Sequence, residues 1–399
     1  MRQAPTPAVW LACAAMLSLT SVAQAASLRG SVGGEARVYA DAPALADQDR
    51  ERTQGSAYVS LNASGQTEGG ARLDLDLFGR LAPRGSHEAR GDVRQATVRW
   101  DSGKTEWKLG VLAETWGVLE AWNPVDIINQ RDLAEDFQGD VKLGQPGAVA
   151  NLQLENTLLS FYATTYARGR RYGEGEDRLR ALPAPILEET FERGRWAPGL
   201  AMRAKFRLGS LDLALSQYAG PAREPVLQPL LGGEGLRGFR AVYERIGQTG
   251  LEAQYVAGDS VFKAEVIRQQ GGTDDFWGGG IGMETGFSKF AGGAGDLALY
   301  AEYYADTRNA AAPLTPFQRD VFLGARYTCN DAHDTVLELR STYDLQRHSN
   351  LLDVRAQRRV LGDAVLSLSL IKAFDAQRDQ ALRGFERDTH LKIGFAWYF

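Results

Sequence analysis

The amino-acid sequence predicts an all-β fold: a single closed, membrane-spanning antiparallel barrel of about eighteen strands, with sixteen as the alternative count. Three observations predict it. The last nine residues, 391–399, alternate large apolar side chains with small or polar ones and finish on an aromatic residue. The same period-2 alternation recurs along the chain in segments of roughly ten residues. Short and long connections between those segments also alternate, as they do in a barrel with one turn side and one loop side.

The C-terminal segment carries the sharpest signal. Its apolar face consists of Leu391, Ile393, Phe395, Trp397 and Phe399. In water such a strand would expose an unpaired apolar edge, whereas a closed barrel pairs it with the first strand. The ending resembles the C-terminal signature of Gram-negative outer-membrane β-barrels, which the barrel-assembly machinery reads. The resemblance implies that Ile393, Phe395, Trp397 and Phe399 form the membrane-insertion signal. Taken alone, the segment also fits an ordinary amphipathic edge strand.

The N-terminus predicts export. Arg2 gives a basic start, residues 8–19 form an apolar core, and Ala23-Gln24-Ala25 is a small-residue cleavage motif. This pattern is typical of a secretory signal peptide over residues 1–25. Residues 26–399 then form one barrel domain, with the cell outer membrane as the expected location. Only Cys329 remains in the mature chain, so no internal disulfide is expected.

Period-2 alternation predicts eighteen strands, and the clearest places Leu73, Leu75 and Leu77 on one face. If residue 399 ends at the periplasm, the tight joints rich in Gly, Asp, Asn or Ser lie there and the long connections lie outside. Gly247 and Gly250 make 240–257 the weakest span, since two shorter strands would also fit. The spans are 27–39, 54–65, 69–81, 91–102, 104–114, 147–155, 157–166, 198–208, 211–219, 240–257, 260–270, 277–289, 295–306, 319–329, 334–344, 350–361, 363–374 and 387–399.

The third long connection, residues 115–146, is the predicted site. Asn123-Pro124 and the apolar residues after it indicate a short amphipathic turn of helix. The organisation resembles that of general porins, in which the third loop folds into the barrel and narrows it, with acids facing a basic cluster on the wall. An ordered external loop is the alternative. The resemblance implies a constriction loop whose charged residues are Asp126, Arg131, Asp132, Glu135, Asp136 and Asp140.

The amino-acid sequence of this region also resembles that of a large, poorly characterised group of proteobacterial outer-membrane proteins. The shared features are Trp116-Gly117, the run 123–129 and Lys142-Leu143-Gly144-Gln145-Pro146, with Arg223-Glu224-Pro225 and Thr315-Pro316-Phe317 further on. The likeness extends from Trp116 to the end of the chain. It implies a compartment and a fold but no particular substrate.

Charged residues alternate with apolar ones on the faces that we expect to line the lumen. A lining of both signs would set up a transverse field that selects solutes, although the charges would equally hold the wall rigid by cross-strand pairing. Arg203, Lys205 and Arg207 form the strongest basic stripe. The basic candidates are Arg72, Arg99, Lys108, Arg203, Lys205, Arg207 and Arg340, with Lys263, Arg326 and Arg355 beside them, and the acids include Asp74, Asp76, Glu106, Asp212, Glu252, Glu265 and Glu338.

These features predict a channel for passive diffusion of small hydrophilic or charged solutes. An exporter of an acidic polysaccharide and a closed structural or enzymatic barrel are the alternatives. Gly85-Ser86-His87-Glu88 and the G-x-G-x-x-G match at 233–238 both lie in predicted loops, so no enzyme activity, catalytic residue or cofactor is expected. The four histidines are scattered and one cysteine cannot build a thiolate site, so no metal is expected. The expected partners are outer-membrane lipid and lipopolysaccharide, the barrel-assembly machinery and small solutes, with a homotrimer as an open question. A net charge of −5 argues against nucleic acid.

Overall fold

The chain folds into one closed antiparallel β-barrel of eighteen strands. The computed structural model describes residues 23–85, 89–233 and 235–399. Each barrel strand pairs with the next one along the chain, and β1 (Ala23–Tyr39) pairs with both β2 (Thr53–Thr67) and β23 (His390–Tyr398). The last pairing closes the ring. The predicted fold class and the count of eighteen are therefore confirmed.

Between the first and last strands, sixteen others complete the barrel, and five short strands lie in its connections. The remaining barrel strands are β3 (Arg72–Leu81), β4 (Ala89–Ser102), β5 (Thr105–Leu112), β8 (Gln145–Gln153), β9 (Thr157–Thr164), β11 (Gly199–Leu208), β12 (Leu211–Pro221), β15 (Arg245–Ala257), β16 (Ser260–Gln270), β17 (Phe276–Phe287), β18 (Asp296–Asp306), β19 (Arg319–Thr328), β20 (Val336–Asp344), β21 (Asn350–Leu361) and β22 (Ala364–Phe374). The connections hold β6 (Gln130–Arg131), β7 (Lys142–Leu143), β10 (Ile186–Phe191), β13 (Val226–Gly232) and β14 (Gly235–Tyr243), and three 3₁₀ turns at Phe290–Gly292, Ala376–Arg378 and Arg383–Phe385.

One predicted span is wrong in its extent. The chain from 240 to 257 is divided near Glu244: β14 belongs to a separate three-stranded sheet with β10 and β13, and only β15 belongs to the barrel. Gly247 and Gly250 both lie inside β15. The division falls earlier because Glu244 accepts a backbone hydrogen bond from Ala222 and side-chain bonds from Thr273, which fix a corner there.

Two predictions fall wholly or partly outside the described residues. Of the predicted signal peptide, residues 1–22 lie outside them and β1 begins at Ala23, so cleavage after Ala25 would leave 26–39 of that strand. Ser86, His87 and Glu88 of the motif that begins at Gly85 also lie outside the described residues, as does Glu234 of the G-x-G-x-x-G match.

The strands form because each has one apolar outward face and one polar or tightly packed inward face. In β22, Leu366, Leu368 and Leu370 are exposed by 37–43%, whereas Ser369 and Ile371, on the opposite face, are buried. The same alternation in the other strands surrounds the barrel with exposed Leu, Val, Phe and Trp side chains. In water a belt of this size would drive aggregation, so it fits a lipid environment.

The buried core lies inside the barrel, where the connection between β5 and β8 packs against the wall. Its centre includes Trp116, Val125, Ile127 and Ile128, which pack against inward side chains of several strands. No α-helix occurs among the described residues. Within the same residues, no helix has the length and apolarity needed to cross a bilayer.

Candidate functional site

Residues 113–144, which connect β5 to β8, cross the barrel lumen and are held to the wall through the peptide backbone. The six consecutive N–H groups of residues 117–122 donate to side chains of β15, β16 and β18 over 2.6–3.1 Å. The acceptors are, in order, Glu252, Glu265 twice, Glu302 twice and the Tyr304 hydroxyl. In the ring of eighteen strands β18 lies eight strands from β5, which is almost directly across the barrel.

These acceptors face the lumen because their strand neighbours face outward. Leu251, Val266 and Tyr303 are exposed by 39–42%, whereas Glu252, Glu265 and Glu302 are at most 4% exposed. Glu265 accepts two further bonds, from Asn123 Nδ2 at 3.0 Å and from the Val125 N–H at 3.4 Å. One buried carboxylate therefore satisfies four donors of the crossing segment.

A track of glycines on β17 makes room for this attachment. Gly280 and Gly282 face inward between Glu265 on β16 and Glu302 on β18, and Leu119 packs over them. A Cβ atom at Gly280 would lie 2.9 Å from Leu119 Cδ1, and one at Gly282 would lie 3.3 Å from Leu119 Cδ2. Such distances leave no space for a side chain. The glycines thus form a trough for Leu119 between two rows of acceptors.

The predicted turn of helix in this segment is wrong. Residues 113–144 contain turns and the two-residue pairing of β6 with β7. A helix needs its N–H groups for carbonyls four residues back, but here the N–H groups of Asp132 and Leu133 donate to the distant carbonyls of Val141 and Arg171. The apolar side chains of Ile127 and Ile128 are buried as expected, in the core inside the barrel.

Most of the charged residues predicted for this segment are engaged in ion pairs. Asp126 is 2.5 Å from Lys142 and 3.5 Å from Arg131, within the segment itself. Arg131 also donates to the carbonyl of Gly139. Asp132 meets Arg171 of an outer loop at 3.0 Å. These contacts fold the segment on itself and on the outer loops.

Glu135, Asp136 and Asp140 differ in what they face. Glu135 is 2.8 Å from Arg80 on β3 and 2.9 Å from Arg90 on β4, so it ties the segment to a second part of the wall. Asp136 turns back and accepts the N–H groups of Gln138 and Asp140, and burial together with the Asp140 charge raises its pKa. The side chain of Asp140 is 53% exposed.

Asp140 is also the acid of the segment that borders both cavities inside the barrel. Its carboxylate lies 3.7 Å from Arg340 on β20. A cavity of 420 Å³ lies between residues 133–141 and strands β1–β4 and β20–β23. A second cavity, of 300 Å³, lies between Glu120 and strands β18–β21. Both cavities are lined by Asp140, Glu338 and Arg355, so Asp140 marks where they meet.

The predicted basic stripe on β11 faces the lumen but is only partly free. Arg203 donates to Glu252 at 2.9 Å from β15, two strands away, and lies over the Trp116 ring. Lys205 is exposed. Arg207 is 80% exposed, with Asp212 at 3.5 Å. The stripe therefore loses its innermost charge to the carboxylate that also binds the crossing segment.

The other predicted wall cations are paired, either across strands or, for Lys108, with the crossing segment. Arg72 lies 2.9 Å from Asp101 and 3.4 Å from Glu106, Arg99 lies 2.7 Å from Asp74, and Lys108 lies 2.6 Å from Glu114. Such pairs stiffen the wall as well as charging it. Around the larger cavity the two signs are interleaved, with Arg37, Arg80, Arg355 and Lys392 facing Glu35, Glu135 and Glu338.

Sequence reasoning missed several residues that build the site. Glu302 and Tyr304 alternate with outward residues on β18, so their period-2 pattern placed them on the lumen face without indicating their role. Arg80 is 5% exposed and bridges Glu35 and Glu135. Arg80 follows Gly79 near the end of β3, and the local sequence pattern does not indicate partners that lie 45 and 55 residues away.

Outer loops close over the larger cavity. Arg178, from the loop after β9, meets Asp388 of the last loop at 2.8 Å, and neither side chain is exposed. The same arginine lies over the Tyr39 ring. Burial raises the pKa of Asp388 to about 6, although the adjacent Arg178 acts in the opposite direction. Asp177, Arg178 and Leu179 form part of the cavity lining.

A second buried network joins the loops on the other side of the mouth. Arg308 meets Glu224 at 2.7 Å and Asp306 at 2.9 Å, and Arg170 lies 3.8 Å from Glu224. Burial alone would raise the pKa of Glu224, but Arg308 and Arg170 outweigh it and hold that pKa below its ordinary value of 4.5. Arg223 next to it donates to the carbonyl of Ile127 in the crossing segment.

The C-terminal stripe faces outward. Ile393, Phe395, Trp397 and Phe399 are exposed by 38–56%, and Phe399 exchanges backbone hydrogen bonds with Gly30 of β1. Their recognition by an assembly machinery stays a prediction. Among residues 23–85, 89–233 and 235–399, no group of His, Cys, Asp and Glu is arranged to hold a metal ion.

An apolar exterior, a charged lumen and a connection folded across that lumen together define a barrel of the porin type. No protein-family model and no curated protein matches the sequence. Solved structures do match the fold. OccD3 (OpdP) of Pseudomonas aeruginosa is 14% identical over 95% of this chain and 92% of its own, with a TM-score of 0.51. OccK2 (OpdF) of the same organism, solved in complex with glucuronate, is 9% identical over 95% and 98%, with a TM-score of 0.54.

A BenF-like porin from Pseudomonas fluorescens Pf-5 is 8% identical over 95% of this chain and 99% of its own, with a TM-score of 0.55. At these identities the likeness is one of fold. The chain thus has the fold of outer-membrane porins, as its sequence predicts.

Proposed function

We propose that the chain is an outer-membrane channel through which small hydrophilic or charged solutes diffuse passively. Residues 115–146 act as its constriction. Selection is steric and electrostatic: the crossing segment sets the width, and the charges around the remaining opening set which ions pass. The exposed apolar belt and the porin fold support the location in the outer membrane.

One observation carries the proposal. The backbone of residues 117–122 is fixed to Glu252, Glu265, Glu302 and Tyr304, so the segment is a rigid part of the lumen. A disordered segment would give no defined width, whereas a segment held by six hydrogen bonds does. The opening that it leaves is bordered by Asp140 on one side and by wall arginines on the other, an arrangement that creates a transverse field.

The alternatives have less support. An exporter of an acidic polysaccharide would be expected to present a continuous cationic lumen, but here acids and bases are interleaved around the larger cavity. A closed structural barrel would have little space inside, yet cavities of 420 and 300 Å³ meet at Asp140. A homotrimer, like the assembly machinery as a partner, stays a prediction from resemblance.

Single-channel conductance in a planar bilayer tests the proposal. The refolded protein should give discrete current steps, and replacement of residues 117–140 by a short Gly-Ser linker should increase their size. As a matched control, replacing residues 271–275, an outer loop between β16 and β17, should leave the steps unchanged. A barrel that stays silent both with and without the crossing segment would overturn the channel function.

A further inference from the structure

The outward face of the barrel carries charges of only one sign. By the alternation of exposed and buried residues, every Asp and Glu in the described parts of the eighteen strands faces the lumen. Five cations of these strands face outward: Arg245, Arg268, Arg319, Lys372 and Arg358. The first four lie at the strand ends where the long connections leave, and Arg358 lies at the opposite end, near a short turn.

Among the described residues, no carboxylate lies within 4.0 Å of the side-chain nitrogens of the four cations at the long-loop end, although the backbone N–H of Arg245 donates to the Glu192 carboxylate at 2.7 Å. Arg268, Arg319 and Lys372 are exposed, and Arg245 is half-buried and donates to the carbonyl of Pro198 at 3.2 Å. Arg358, by contrast, lies 3.8 Å from Asp331. Most strand cations inside the barrel are paired with acids, as Arg80, Arg99 and Arg203 are, so a set of unpaired cations on an apolar exterior needs another explanation.

Two of these cations are held over aromatic rings that also face outward. The guanidinium carbon of Arg268 lies 5.6 Å from the centre of the Trp277 ring on the next strand. Lys372 Nζ lies 4.5 Å from the centre of the Phe374 ring. A cation–π contact orients a cation and leaves its N–H groups free to bind an anion. Each pair places a cation at the border of the apolar belt.

We propose that this rim binds the phosphate groups of lipopolysaccharide in the outer leaflet. The inference rests on the proposed outer-membrane location. Charge complementarity identifies the partner: a lipid with phosphates at the depth where the belt ends meets four cations and no strand acid. Arg245 and Arg268 lie on adjacent strands, where Thr249 of β15 pairs with Arg268, so they form the densest part of the rim. Arg319 and Lys372 extend it around the barrel.

Binding of purified lipid A to the barrel in neutral detergent, followed by native mass spectrometry, tests the proposal. Arg268→Gln and Lys372→Gln should each weaken lipid A binding by about fivefold, the effect expected for one cation at an anionic surface. If the four contributions add, the variant with all four cations replaced by Gln should lose roughly 600-fold. Arg358→Gln is the matched control, an outward cation at the wrong end, and should bind lipid A like the unmodified protein.

Three results would overturn the proposal: equal binding of dephosphorylated lipid A, equal binding of phosphatidylglycerol, or an equal loss in Arg358→Gln. The second would mean a general attraction to anionic lipid instead of a site for lipopolysaccharide. Conductance in a neutral bilayer should be the same for all variants, which shows that they fold. A silent barrel that still binds lipid A selectively would refute the channel function and leave this site standing.

Discussion

Replacing Glu265 by alanine gives the sharpest test of how the crossing segment is held. This carboxylate is fully buried and accepts hydrogen bonds from Val118 at 2.6 Å, from Leu119 at 3.0 Å and from Asn123 at 3.0 Å, with Val125 at 3.4 Å. Alanine removes the acceptor and keeps the donors. We expect residues 117–125 to detach from the wall while the barrel itself stays folded.

The size of the effect follows from the number of donors left. A buried donor without a partner costs about 1–3 kcal/mol, so three close donors cost about 3–9 kcal/mol. Removing a buried carboxylate relieves a desolvation cost that offsets part of this. A net loss of about 3 kcal/mol would change the ratio of attached to detached segment by roughly a hundredfold. The anchors on Glu252, Glu302 and Tyr304 would then hold the segment only part of the time.

Two readouts report detachment. Trypsin should cleave Glu265→Ala at Arg131 and Lys142, which are mostly buried in the unmodified protein. Open-channel current should fluctuate as the segment moves. Asp212→Ala is the matched control, since it removes a lumen carboxylate that does not touch the segment. If Glu265→Ala kept the quiet current and the trypsin resistance of the unmodified protein, the backbone anchor would not be what positions the constriction.

Three further outcomes are expected. Asp140→Asn removes the exposed acid that lies 3.7 Å from Arg340. The reversal potential under a salt gradient should then move toward anion preference, by about twofold in permeability ratio. An unchanged reversal potential would mean that ions do not pass this point. Gly282→Val places a side chain where Leu119 packs. Overpacking should destabilise the attached segment by about 1–3 kcal/mol and so raise its sensitivity to trypsin. Unchanged sensitivity would argue against the glycine trough. Glu224→Gln should lower the melting temperature at pH 7. Because the folded-state pKa of Glu224 is below its ordinary value of 4.5, its contribution to stability exists above that value and is lost as pH falls through the lowered pKa. The difference between the two proteins should therefore shrink below about pH 4.5, and a constant difference would contradict the assigned charge pairing.

The strands could be predicted from the sequence because period 2 is a local property of the chain. β16 and β21 have the predicted bounds, and most others differ by a few residues at their ends. The one larger difference arose where β14 continues the apolar alternation of β15 without belonging to the barrel. Its partners β10 and β13 lie in other connections, and the parallel pairing of β10 with β14 cannot be read from local pattern.

The site was less predictable because its contacts are distant in sequence. Alternation predicts Arg203 on the lumen face, but nothing near it in the sequence indicates its partner Glu252, which lies 49 residues away. Amphipathicity around Ile127 predicted a helical turn, since a helix is the usual way to satisfy a buried backbone. The sequence could not reveal that the N–H groups of Asp132 and Leu133 bind the distant carbonyls of Val141 and Arg171. Nor could it reveal that acids on three other strands hold the residues just before the predicted turn.

An anchor made from main-chain N–H groups does not depend on which side chains the anchored residues carry. Glycine at 117 and leucine at 119 fit particular spaces, but the side chains at 118, 120 and 121 are not what the wall carboxylates bind. Exchange at these positions would therefore leave the backbone anchor itself in place, although it would remove the pairing of Glu120 with Lys263 at 3.3 Å and the packing of Ala121. Glu120, which borders the smaller cavity, is the natural position for such changes. Evolution, or the design of a nanopore, could therefore change which solutes this barrel passes by point substitution, without changing the fold that holds the segment.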